Sequence, residues 1–158
     1  MENQLKKLTI DINTVDISDI LSCWLWQITN LESVYMITVF GDIFYIGKDK
    51  GIYWLQSDCG DLVKVAENIE QFQKNLLDEN KFDEWFLPQL VENLINAGKI
   101  LKENQVYSYK IFPIIGGEYT VDNIEPTDIS VHFALTGQIC EQIKELPDGS
   151  KINIVVKK

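Results

Sequence analysis

Arginine is absent from this chain, and all 14 of its basic residues are lysine. The forked guanidinium that reads phosphates and guanine edges in two places at once is therefore missing. The 24 acidic residues leave a formal net charge of −10, whereas the phosphate backbone requires a basic face to release its counterions. Direct nucleic-acid binding is not the expected function. Histidine occurs once, at His132, and the 3 cysteines, Cys23, Cys59 and Cys140, form neither a C-x-x-C pair nor a set with nearby histidines. A metal site would need carboxylates, or all the thiols, to converge from distant segments, so no metal and no cofactor are expected and the thiols read as reduced and structural. Long apolar runs are also missing. Ile20 to Ile28 is interrupted by Ser22 and Gln27 and falls short of the ~20 residues a membrane span requires. Met1 to Asp19 carries acids and polar residues throughout, unlike a secretory leader, so a cytoplasmic protein with no membrane partner is expected.

What is present describes a folding unit. At 158 residues, with 46% apolar, 11% aromatic and 24% charged residues, the chain can bury one core of ordinary size. No linker composition or internal repeat divides it. Asp16-Ile17-Ser18-Asp19 offers side-chain acceptors for free amides, and Ile17, Ile20, Leu21, Trp24 and Ile28 follow at helical spacing, predicting a helix over about 16–28. Ser33 to Ile46 is rich in β-branched and aromatic residues and broken at Gly41-Asp42, predicting two strands meeting at a bend. Ile52 to Gln56 and Leu62 to Val65 extend this to an antiparallel meander. Ile69, Phe72, Leu76 and Leu77 recur at helical spacing, and a second helix carries Phe82, Phe86, Leu90 and Leu94. Pro88, with no amide hydrogen, belongs in a first turn and places the regular start of that helix near Asp83 to Trp85, while Gly98 caps its end. Val106 to Ile111 and Ile129 to Phe133 alternate as strands, Gln138 to Leu146 returns to helical spacing, and Ile152 to Val156 reads as a last strand. The predicted class is α+β, an antiparallel meander packed with several helices in a single compact domain.

No nucleophile elbow, P-loop, dinucleotide fingerprint, H-E-x-x-H pair or calcium loop occurs, so no catalytic residues are assigned. His132 sits in the alternating segment and reads as a half-exposed structural histidine rather than a general base. Glu67, Glu70, Asp78, Glu79, Asp83 and Glu84 stand against only Lys74 and Lys81, a local net of −4 across two amphipathic helices. Such a band is either a solvated face or an electrostatic docking face for a basic partner. Trp24 lies on the apolar stripe of the first helix and belongs to the core. Trp26 lies off it, and aromatic side chains in such places anchor interfaces, making it the candidate partner-binding tryptophan.

Phe40-Gly41-Asp42-Ile43-Phe44, Ile52-Tyr53-Trp54-Leu55 with Gly60 and Val65-Ala66, Pro113-Ile114-Ile115-Gly116-Gly117, Gly137-Gln138-Ile139 with Gln142, and Leu146-Pro147-Asp148-Gly149-Ser150-Lys151-Ile152 follow one another in this order. They resemble the C-terminal domain family of type VI secretion immunity proteins from about Val34 onward. The resemblance divides the chain into an N-terminal helical segment over 1–33 packed on a main domain over 34–158. The first thirty or so residues do not match the GAD-like segment that often precedes that domain. The resemblance implies a protein that binds and neutralises a toxin delivered between competing bacteria, in at least one case a DNase, and it assigns no catalytic residues. The acidity of this chain fits a basic protein partner. Two other readings are open on sequence alone: a small-ligand-binding or enzymatic domain using surface carboxylates, and a general intracellular adaptor. Gln138 and Gln142, i,i+4 on one helix face, bridge backbone groups inside the fold or take part in recognition.

Overall fold

A computed structural model describes residues 1–157. The chain runs α1 (Glu2–Leu8), β1 (Thr9–Ile10), α2 (Ile17–Leu21), β2 (Leu31–Thr38), β3 (Ile43–Gly47), β4 (Ile52–Leu55), β5 (Leu62–Ala66), α3 (Ile69–Asn75), α4 (Glu79–Phe86), α5 (Pro88–Asn96), β6 (Gln105–Tyr109), β7 (Ile124–Asp128) and α6 (Ile129–Ile143), with short 3-10 turns between them. Strands β1 to β5 form one antiparallel sheet in sequence order, and β6 and β7 form a two-stranded ladder. The class is α+β, as the sequence predicts.

The meander turns where the glycine and aspartate signals stand. Thr38 N–H bonds to Asp42 O at 2.9 Å, and Gly41 closes the tip with φ +83°. That φ is in the left-handed region, and a Cβ there would lie 2.5 Å from His132 Nε2, so both conformation and space require glycine. The apolar continuity of β3 reflects burial on both faces. Phe44 joins Trp54, Phe72, Trp85 and Phe86 in the cluster under α3 to α5, while its neighbours Ile43 and Tyr45 join Leu55, Trp24 and Phe133 in the cluster under α2 and α6. One hydrogen bond, Tyr107 N–H to Val39 O at 2.7 Å, ties β6 to the end of β2.

Several local expectations are corrected. The helix expected over 16–28 is regular only over Ile17–Leu21. Its Asp16 cap accepts from Asp19 N–H at 3.1 Å, and hydrogen-bonded turns carry the chain on to Trp24 and Ile28. The helix expected to start near Asp83 is two helices, because Leu87 adopts φ 47° and Pro88 opens the second; Gly98, at φ +81°, follows its end as expected. Ile129 to Phe133 is the start of α6 and not a strand. Asp128 caps it by accepting from Val131 N–H at 3.1 Å, and Ile129, His132, Phe133, Thr136, Gly137 and Cys140 form its buried stripe at helical spacing. The polar His132 and Thr136 on that stripe hid the period. Ile152 to Val156 is not a strand either. Its backbone is held by side chains of α6: Gln142 bonds both backbone groups of Val155, at 2.7 and 3.1 Å, and Gln138 both of Lys157, at 3.1 and 2.6 Å. The two glutamines therefore bridge backbone groups inside the fold.

Candidate functional site

Three surfaces gather the chemistry-bearing residues. The first is the acidic band. Glu67 follows β5 and pairs with Lys64 at 2.9 Å, Glu70 lies in the first turn of α3, and Asp78 caps α4 by accepting from Lys81 N–H at 3.1 Å. Glu79, Asp83 and Glu84 follow on α4, and all six acids are exposed. Asp78 has a structural task as well as a charge. Glu84 also lines the third of these surfaces.

The second is a groove of about 780 Å³ among Trp26, the Cys59-Gly60-Asp61 turn, Ile114 to Gly116, the end of α6 and Leu146 to Ile152. Trp26 is half-buried there. Its Nε1–H donates to Cys23 O at 3.0 Å and Gly137 O at 3.2 Å, its ring stacks on buried Trp24 at 5.5 Å, and Lys144 Nζ lies 4.9 Å from the ring centroid. Gly137 permits this arrangement, since a Cβ on it would fall 2.4 Å from Cys23 O. Burial pushes the Cys140 thiol up to about 12, and burial with neighbouring Asp58 raises Cys59 further, so neither carries an activated thiolate.

The third surface was not legible in sequence. A pocket of about 170 Å³ opens between the β2–β3 tip, the β4–β5 turn and α4, with Tyr109 and Tyr119 on its far side. Asp42 enters from the hairpin tip; its Oδ1 accepts from Ser57 N–H at 3.2 Å and its Oδ2 from Trp54 Nε1–H at 3.1 Å. Asp58 enters from the turn, 7% exposed; its Oδ2 accepts from the Tyr119 hydroxyl and its Oδ1 has no partner. Burial first, and then the negative charge of Asp58, hold the Asp42 carboxyl well above the ordinary aspartate range. Glu84, Phe40, Trp54, Gln56, Trp85 and Leu87 complete the walls, and no lysine is among them.

His132 lies behind this pocket rather than in it. It is fully buried, contrary to the half-exposed position expected from a strand, with Nε2 2.8 Å from Ser57 Oγ and Nδ1 2.8 Å from Ser108 Oγ. Burial lowers its pKa to about 3, so the ring is neutral and one hydroxyl donates to it while the other accepts. Ser57 is also fully buried, so this serine–histidine contact is sealed from any substrate. Among the described residues, no group of three or more His, Cys, Asp or Glu side chains is arranged to hold a metal ion, and no helix is long and apolar enough to cross a membrane.

By fold this is a mixed α+β domain, a meander between two sets of helices with an acidic helical face on one side. Residues 66–140, from the end of β5 to α6, match the family model described as T6SS immunity protein Tdi1, C-terminal. The resemblance noted in the sequence is borne out over that stretch, which contains α3 and α4 and all six acids of the band, while the Phe40–Phe44 and Ile52–Leu55 motifs precede it. The chain is similar in fold to a solved structure described as the crystal structure of Atu4351 from Agrobacterium tumefaciens, with a TM-score of 0.52 and 16% identity over 78% of this chain. It spans 65% of that protein's length. No curated protein matches the sequence.

Proposed function

We propose that this chain is an immunity protein that binds a toxin delivered by type VI secretion and neutralises it in the cytoplasm. The observation that carries the reading is the match of residues 66–140 to the immunity family. The toxin is proposed to be basic, a nuclease being the natural case, because a nuclease presents a cationic cleft for its phosphate substrate. An acidic face covering that cleft would mimic the substrate's charge and accelerate association. Glu67, Glu70, Asp78, Glu79, Asp83 and Glu84 supply such a face, with Trp26 a separate candidate contact. Neutralisation by contact requires no catalytic residue in this chain.

The test is co-expression with the product of the neighbouring gene. Rescue of growth and co-purification of the two proteins are expected, with affinity falling as salt rises. Glu79→Lys together with Asp83→Lys, on exposed positions of α4, should weaken the complex by about tenfold or more without unfolding the chain. Absence of both binding and rescue would reject the pair, and a complex indifferent to salt and to these reversals would reject the acidic face as the contact.

A further inference from the structure

We propose that the pocket between Asp42, Asp58 and Glu84 is a binding site for a single organic cation, an ammonium or guanidinium group on a short alkyl stem. Among the described residues only two buried side-chain polar atoms lack a hydrogen-bond partner, Trp24 Nε1 and Asp58 Oδ1. The second belongs to an ionisable group lining a cavity, and a buried, unpaired carboxylate oxygen is costly enough to call for an explanation such as a bound ion. The neighbouring carboxylate has both oxygens committed, one to Ser57 N–H and one to Trp54 Nε1–H, so it cannot relieve Asp58. Two acids share the pocket with no basic residue in its walls, and Glu84 adds a third charge from exposed α4. A cation placed there would offset the mutual repulsion of the acids and the charge of the incompletely paired Asp58.

The walls choose the kind of cation. Phe40, Trp54, Trp85, Tyr109 and Tyr119 present aromatic surface, which attracts a weakly hydrated organic cation through the ring quadrupole, and the acids beside them are not arranged to hold a metal ion. The volume of about 170 Å³ suits one head group with part of its stem. Such a group is carried by a lysine or arginine side chain of a protein partner, or by a free small amine or guanidine. The inference concerns the isolated chain and does not rest on the toxin reading.

The experiment titrates the ¹⁵N-labelled chain with n-butylammonium, n-propylguanidinium, 1-butanol and Mg²⁺, following the indole N–H signals assigned by Trp54→Phe and Trp85→Phe. The two organic cations should shift the Trp54 indole saturably, and 1-butanol and Mg²⁺ should not. Asp58→Asn should weaken cation binding by about tenfold or more, and Glu84→Gln, exposed and safe for folding, by about threefold. Binding of a blocked Ala-Arg-Ala tripeptide assigns the natural group to a protein side chain; binding of the free cations alone assigns it to a small molecule; both uphold the site. The proposal is overturned if neither cation shifts Trp54 saturably, if butanol or Mg²⁺ does so equally, or if folded Asp58→Asn and Glu84→Gln bind as wild type does.

Discussion

Ser57 and Asp58 are adjacent in the chain and face opposite fates. Ser57 turns inward to His132, whose other nitrogen meets Ser108, and every polar atom of that buried trio has a partner. Asp58 turns into an open pocket beside a second carboxylate and leaves one oxygen unpaired. The first arrangement is how a core accommodates polar groups: few, neutral and mutually satisfied. The second is how a binding site is held ready, at some loss of stability. A single turn between β4 and β5 supports both, so replacing residues in it separates the demands of folding from those of function.

The largest predicted difference is in pH dependence. His132 is held neutral, with its pKa lowered from 6.5 to about 3 by burial, so its contribution is complete above the unfolded value and is lost as pH falls from about 6.5 towards 3. The loss is on the order of 5 kcal/mol and should be measured by urea denaturation across that range. Asp42 works in the opposite sense. Its carboxyl is raised in the fold, so its contribution is present at acid pH and fades as pH climbs through the raised value. A ¹³C-detected titration of the Asp42 carboxyl should show that raised value falling in Asp58→Asn, the neighbouring charge having been removed. An ordinary aspartate titration in the wild type would break the comparison.

Next in size is His132→Ala, which leaves the Ser57 and Ser108 hydroxyls buried and unpaired around a cavity. It should cost about 3 kcal/mol in denaturation free energy. Gly41→Ala follows at about 2 kcal/mol, since it needs a left-handed backbone and drives a methyl into the His132 ring. A loss under half of that would mean the hairpin tip is not clamped on the histidine.

The sheet was legible because its strands announce themselves: Val34 to Phe40, Ile43 to Tyr45 and Ile52 to Leu55 are β-branched and aromatic, with a glycine at the bend. The acidic band was legible because charge is additive along α3 and α4. Ile129 to Phe133 was misread where polar residues interrupt the buried stripe, while Gln138 to Ile143 was read as helical, and Ile152 to Val156 was misread because side-chain amides replace a neighbouring strand. The carboxylate pocket left no signal, since Asp42, Asp58, Glu84, Tyr109 and Tyr119 come from five separate segments, each ordinary alone. Only the fold brings them together.

The smallest effect is the most direct test, because its sign opposes that of almost every other buried substitution. Asp58→Asn keeps an acceptor for the Tyr119 hydroxyl while removing the unpaired charge beside Asp42. Urea denaturation at neutral pH should show it more stable than the wild type by about 1 kcal/mol. A loss of stability of similar size would place Asp58 in the core's own polar network and contradict the reading of this pocket as a site kept unsatisfied for a ligand.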